Sequence, residues 1–365
     1  MKLQHCLALG LTLICSANLS AQSDKPLDDV PLEVRTADRL TDVQKQEVQQ
    51  YINGWVGEMA DGSNPSQQGQ ARDKLTTGAN AVGTETASAD YQSQYAGTMN
   101  DALLPLTKNA DMRIRLLAGV VAGRVAERMN NARLEPVAVA LLNDKSDAVV
   151  LWGMRTARYA LPWILQNPMQ KSALPDAMVN ALLNHPRIPI ANDAYEGANL
   201  PQQTSGPTLL AAAQQVIHML HARVQVYEKT CPIDPSADAT GTTFLSSTAW
   251  SVLPAGQRLD SAQQISDLMS VMAQRCLADG PSSFPRIIAG LQPVAAAVFV
   301  IGNADQAPGV VNAARPVALQ HFQANTPPQD ILTLVQKVYP ALVSVPEFSK
   351  LQAPPKVEVA PTTRP

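Results

Sequence analysis

The 365-residue chain is short of the residues from which catalytic and metal sites are built. It has five histidines and four cysteines, and two of those cysteines, Cys6 and Cys15, fall at its very start. No Cys-x-x-Cys-His occurs, which excludes covalent haem attachment through that motif. There is no Gly-x-Ser-x-Gly elbow, no phosphate-cradling glycine loop and no His-Glu-x-x-His pair, so those chemistries have no local signature. No cofactor is expected. Aromatic residues make up only 4% of the chain and charged residues 16%. So few aromatics remove one class of side chain that favours sheets.

What the chain has instead is alanine-rich, helix-favouring sequence behind an ordered start. Met1-Lys2 is basic, Cys6 to Ile14 is apolar, and small residues follow at Cys15-Ser16-Ala17 and Leu19-Ser20-Ala21. That order reads as a secretory signal peptide over residues 1–21, cleaved after Ala17 or Ala21, which implies an exported protein, periplasmic or secreted. Its apolar core is too short to stay behind as a transmembrane anchor. Without it the chain keeps 27 Lys and Arg, one fewer than the full 28, against 31 Asp and Glu, a formal charge of −4. So weak an acidic balance offers nothing to a phosphate backbone, and nucleic acid is not an expected partner.

Residues 22–38 are polar, contain Pro26 and Pro31, and read as a disordered lead-in. A helical region is expected over 39–228. It opens on Thr41-x-x-Gln44, a capping box in which each residue satisfies an amide donor of the other's turn. Val43, Val48, Ile52, Trp55, Val56 and Met59 then recur at helical spacing. The clearest stripe is Ile114, Leu117, Ala118, Val121, Ala122 and Val125, broken by Asn130-Asn131. A later helix carries Val149, Trp152, Gly153, Thr156, Ala157 and Ala160, and Pro162 should kink it or end it.

Two internal echoes cross this region. Ala138-Val139-Ala140-Leu141-Leu142-Asn143-Asp144 returns as Val179-Asn180-Ala181-Leu182-Leu183-Asn184-His185, and Asp111-x-x-Ile114-Arg115-x-x-Ala118 returns as Ala148-Val149-Val150-x-x-Gly153. Leu141 and Leu182 are 41 residues apart, Arg115 and Val150 are 35 apart. Such periods belong to supersecondary units that must stack to bury their apolar faces. Leu141-Leu142-Asn143-Asp144, a polar turn, and a helix opening Ile-Arg-x-x-Ala, as in Ile114-Arg115-x-x-Ala118, resemble the HEAT repeat. The resemblance, carried mainly by residues 109–185, implies an all-α fold of stacked antiparallel helical hairpins, an α-solenoid, in which Asp and Arg link successive repeats. It also implies a habit of binding macromolecules rather than a reaction. Val150 stands where the pattern has Arg, and His185 where it has Asp. An irregular helical bundle is the alternative arrangement for the C-terminal half.

That half reads as a loop over 186–207, a helix to 228, a long loop over 229–258, a helical region over 259–347 and a Pro-rich disordered tail over 348–365. The apolar stretch Ile287 to Gly302 contains Pro293 and reads as a buried, kinked helix rather than a membrane span.

Cys231 and Cys276 remain after cleavage, an even number, and a disulfide between them is one reading. A buried thiol is the other, since Cys276 continues the stripe Ile265, Leu268, Met269, Met272. His218 and His221 share a helix at i, i+3 and could hold a metal with a third ligand such as His321 or Cys231. But His221 lies beside the apolar stripe, no Glu accompanies them in a His-Glu-x-x-His arrangement, and no metal site is expected. Trp152 and Trp163 flank one hairpin, Arg113, Arg115, Arg124 and Arg128 crowd the neighbouring helix, and Arg155 and Arg158 follow on the next. Of these, Arg113, Arg115, Arg124, Arg155 and Trp163 form a candidate binding surface, because Arg and aromatic residues concentrate binding energy. The other reading is a core Trp152 with arginines that solvate a helix face. The expected role is an exported scaffold for another protein or an extended peptide. The alternative is a cell-envelope enzyme, acting on glycan or peptidoglycan, whose catalytic residues need no local motif.

Overall fold

The second to fifth helices start on side-chain caps that can be read from a few residues. In the computed structural model, which describes residues 27–358 apart from 81–85, 168, 170, 202, 281, 321, 324 and 325, no strand occurs among the described residues. The leader at 1–21, the first part of the lead-in, His321 and the tail from 359 lie outside the described residues. Helix α1 (Leu32–Arg35) is short, and α2 (Asp42–Ala60) starts on both arms of the Thr41–Gln44 capping box. Asn64 caps α3 (Pro65–Gly78) and Ser88 caps α4 (Ala89–Leu103) by accepting from backbone amides. Helix α5 (Met112–Met129) begins at the cap of Asp111 and stops where Asn130 turns left-handed at φ 42°. After α6 (Glu135–Leu142), α7 (Asp147–Leu165) runs on through Pro162 to its last turn rather than ending before it.

The remaining helices are α8 (Leu174–Asn184), α9 (Ala191–Ala198), α10 (Gly206–Lys229), α11 (Asp238–Thr243), α12 (Ala255–Asp279), α13 (Phe284–Ala304), α14 (Pro308–Leu319), α15 (Pro328–Val335) and α16 (Val338–Val343). They stack in two layers. In the first, α2, α4, α6, α8, α10 and α12 each pack on the next. In the second, α3, α5, α7, α9, α11 and α13 do the same. The all-α, hairpin-by-hairpin order therefore continues beyond residue 165 into the C-terminal half, with α14 packed on α13 and α15 on α12. The echo of 41 residues joins α6 to α8 in the first layer, and the echo of 35 joins α5 to α7 in the second.

Arg115 and Asp144 are joined across two hairpins. Arg115 Nε donates to Asp144 Oδ2 at 2.6 Å, tying the start of α5 to the α6–α7 turn. Burial would raise the Asp144 carboxyl, but hydrogen bonds from Arg115 and Ser146 and the Arg115 charge outweigh it and hold the group below the usual carboxylate range. At the next repeat, Val150 is buried instead of paired, while His185 Nδ1 meets Asp147 Oδ1 at 2.6 Å. The departures from the repeat pattern are replaced, not left vacant.

Several expected loops are ordered. The lead-in contributes Val30 and Val34 to the core, and Trp55 Nε1 donates to the Leu27 carbonyl at 2.9 Å. The loop expected at 186–207 contains α9. The long loop expected at 229–258 contains α11, a π-helical turn at Phe244–Ala249 and two 3-10 turns. The cause is a buried charge. Arg223 Nε and Nη2 donate to Asp238 Oδ1 and Oδ2 at 2.8 and 3.0 Å, and the Tyr195 and Tyr227 hydroxyls donate to the same two oxygens at 3.0 and 2.9 Å. Asp238 is fully buried and fully satisfied, so the segment that delivers it must fold against α9 and α10. The tail is corrected too: Phe348 is buried, and residues 351–358 lie extended along α12.

Two apolar cores result, and they divide at α7. Val149 packs with the N-terminal cluster, while its neighbour Val150 packs with the C-terminal one. Helix α13, the apolar stretch with Pro293 inside it, packs against α12 and α14.

Candidate functional site

Three successive helices of the second layer, α5, α7 and α9, frame a polar cavity of about 450 Å³. Its floor depends on two glycines. A Cβ on Gly123 would lie 2.9 Å from Trp152 Cε3, and one on Gly119 would lie 3.0 Å from Trp152 Cβ. Only because both are absent can Trp152 lie across α5. The Arg155 guanidinium then sits 4.5 Å from the Trp152 ring centroid, a cation–π contact that holds the charge at the cavity. Arg124, Glu127 and Arg128 enter from α5, Arg158 and Tyr159 from α7, and Asp193 from α9.

Four arginines thus face two carboxylates in a chain whose overall charge is −3. Two of the four are engaged. Arg158 donates to Asp193 at 3.1 Å and pairs with Glu196 at 2.5 Å. Burial would lower the Arg158 pKa, but the bond to Asp193 and the charge of Glu196 raise it. Arg128 Nη1 donates to the Thr76 carbonyl at 2.8 Å. Arg155 approaches Asp193 only at 3.9 Å, and Arg124 is exposed with no ion pair among the described residues. Burial raises the Tyr159 phenol above its ordinary range, so it enters the cavity as a neutral donor. The arrangement can bind an anion: it presents the unpaired Arg124 guanidinium, the Arg155 guanidinium held loosely between Asp193 and the Trp152 ring, and one phenol.

The structure divides the candidate surface read from sequence. Arg124 and Arg155 come together. Arg115 is committed to Asp144 and to the carbonyls of Asn109 and Ala110. Arg113 is exposed at the start of α5, outside the cavity lining. Trp163 lies at a separate, smaller pocket beside the Asn130–Arg133 turn. Arg128, Arg158 and Trp152 take the places that Arg113, Arg115 and Trp163 were expected to fill. The signal for them was present: Trp152, Arg155 and Arg158 recur every three residues along one helix face, opposite Gly119 and Gly123.

The disulfide reading is not realised, since both thiols are free. Cys276 is buried in the stripe of α12, where burial pushes its thiol up to about 12. The Cys231 Sγ instead donates to the Pro232 carbonyl at 3.4 Å and faces Arg286. His218 meets Gln214, and His221 meets Gln225 and Gln264. Among the described residues no three His, Cys, Asp or Glu side chains converge as a metal site would require.

No family model matches the chain, and no curated protein matches it either. Among solved structures, a crystal structure of an engineered protein from the Northeast Structural Genomics Consortium is 12% identical, with a TM-score of 0.31. That alignment covers 80% of this chain and 96% of the other.

Proposed function

We propose that this protein is an exported α-solenoid scaffold whose second helical layer binds an acidic segment of another protein, presented as an extended peptide. One observation carries the reading: Arg124 and Arg155 offer guanidinium groups without a close carboxylate partner in a cavity framed by three consecutive helices. Bidentate recognition of carboxylates is what an arginine fork does best, and Trp152 supplies the flat apolar face beside it. The leader read at residues 1–21 places the partner outside the cytoplasm.

The test is a peptide array probed with the mature protein and with an Arg124→Glu/Arg155→Glu variant. The wild type should retain Asp- and Glu-rich peptides, with binding that weakens as salt rises. The double variant should lose at least tenfold in affinity, since each lost charged contact is worth about 1.5–3 kcal/mol. Equal retention by both proteins, or turnover of a glycan or peptide library by the wild type, would overturn the reading.

A further inference from the structure

The segment 351–358 is held on α12 by two glutamines, and the way they hold it describes a site. Gln263 and Gln274 are 11 residues apart on α12, about three helical turns, so they face the same side roughly 16 Å from one another. Gln263 Oε1 accepts the Gln352 amide at 2.6 Å, and Gln263 Nε2 donates to the Gln352 carbonyl at 3.1 Å. Gln274 repeats the arrangement: its Nε2 donates to the Pro355 carbonyl and its Oε1 accepts the Val357 amide, both at 2.9 Å. From Gln352 to Val357 an extended chain covers about 16 Å, so the two amide clamps match the pitch of the strand they grip.

Each clamp is also tied within α12. Gln263 Nε2 also donates to Asp267 Oδ1 at 2.8 Å, and Gln274 Nε2 to Ser270 Oγ at 3.1 Å, each one turn away within α12. Gln263, Asp267, Ser270 and Gln274 therefore make a polar stripe at i, i+4, i+7 and i+11 on a helix that is otherwise largely buried. The four glutamine contacts go to the segment's backbone and are indifferent to its side chains, while Leu351 and Val357 also pack into the C-terminal core. Beneath Pro354, Pro355 and Val357 lies a cavity of about 400 Å³, lined by Met269, Leu332 and Val335. The strap lines that space without filling it.

We propose that the groove between α12 and α15 is a binding site for an extended, Pro-containing segment of another protein, and that residues 351–358 are its built-in competitor. The glutamines read the backbone, prolines suit because they lower the cost of extension, and the cavity takes apolar side chains at the positions of Pro355 and Val357. The tethered strap acts at an effective concentration in the millimolar range, so an incoming segment binds only by exceeding it. This site lies on a different part of the molecule from the arginine cavity and does not depend on that reading.

The probe is a fluorescein-labelled peptide with the sequence of residues 350–358, followed by anisotropy against the full chain. Gln352→Pro with Val357→Pro removes the two amide donors that the glutamines accept, while the Glu358 amide keeps the Glu228 carbonyl at 2.8 Å and the α12 and α15 residues of the groove stay unchanged. That variant should bind the peptide at least tenfold more tightly than the wild type. Adding Gln263→Ala and Gln274→Ala to it should return binding to the wild-type level or below. A folded release variant that binds no better than the wild type overturns the proposal, as does one indifferent to loss of the glutamines. Should the release variant fail to fold, amide exchange in the wild type decides. Excess unlabelled peptide should speed exchange at Gln352 and Val357 severalfold, and unchanged exchange at millimolar peptide would count against the site.

Discussion

Asp267 lies on α12 between the two clamping glutamines, buried, with one hydrogen bond from Gln263 and with His221 and Glu228 of α10 as its charged neighbours. Burial dominates and lifts its carboxyl from 3.8 to about 6. A carboxyl raised in the folded state favours folding in its protonated form, so its contribution declines as pH climbs from 3.8 through 6 and is fully unfavourable above. The cost of keeping it ionised at pH 7 is roughly 3 kcal/mol from a shift of that size. Asp267→Asn retains the acceptor for Gln263 and cannot ionise. The variant should be more stable than wild type at pH 7 by up to about 3 kcal/mol, with the difference vanishing near pH 4. Urea midpoints across that range read it out, and a constant difference at all pH values would refute the assignment to ionisation.

At the scale of the helix, the end of α3 shows how side chains can do the work of a cap. The last turn of any helix leaves carbonyls without intrahelical donors. Here the Tyr51, Tyr95 and Tyr91 hydroxyls donate to the carbonyls of Lys74, Leu75 and Gly78 at 2.6, 2.6 and 2.8 Å, and Arg128 takes Thr76. The three rings converge so closely that a Cβ on Gly78 would lie 2.6 Å from the Tyr95 hydroxyl. Gly78→Ala should therefore cost about 1–3 kcal/mol through displacement of the phenols. Gly97, in α4, has nothing within 4 Å of such a Cβ, and Gly97→Ala should instead stabilise by about 0.5–1 kcal/mol. The opposite signs, measured by denaturant midpoint, separate packing from propensity.

That same helix shows what was readable in advance. The periodic stripes of α2, α5 and α7 and the Thr41 cap are local, and the hairpin stacking of α5 to α8 was audible in its echoes. The Tyr cluster, the Asp238 network and the strap are not local. Each joins residues of separate elements, and the helical spacing of Tyr91 and Tyr95 or of Gln263 and Gln274 does not say which carbonyl or segment they meet. The stretch 229–258 reads as loop because its prolines and glycines break periodicity, yet the buried Asp238 carboxylate orders it. The site was half readable for a related reason. Arginine abundance pointed to Arg124 and Arg155, but which arginines are spent on structure depends on Asp144 and Thr76, delivered by other helices.

Over the whole molecule, two stacked layers with a core divided at α7 make a chain whose parts touch mainly their neighbours. Stability in such an array is a sum of local terms and interfaces, so damage should spread only as far as the next hairpins. Asp238 offers the sharpest place to inflict it. Asp238→Ala leaves the buried Arg223 with Asp234 alone, at 3.2 Å, as its carboxylate partner and strips two buried phenols of their acceptor, at a cost of about 3–5 kcal/mol. Helices α9, α10 and α11, which surround it, should lose amide protection, while α2, α3 and α4 in the other core should keep theirs. Hydrogen exchange followed by mass spectrometry resolves the two regions. If α2 to α4 lose protection to the same degree, the two cores unfold as one unit, and α7 is a rigid coupling between them rather than a boundary.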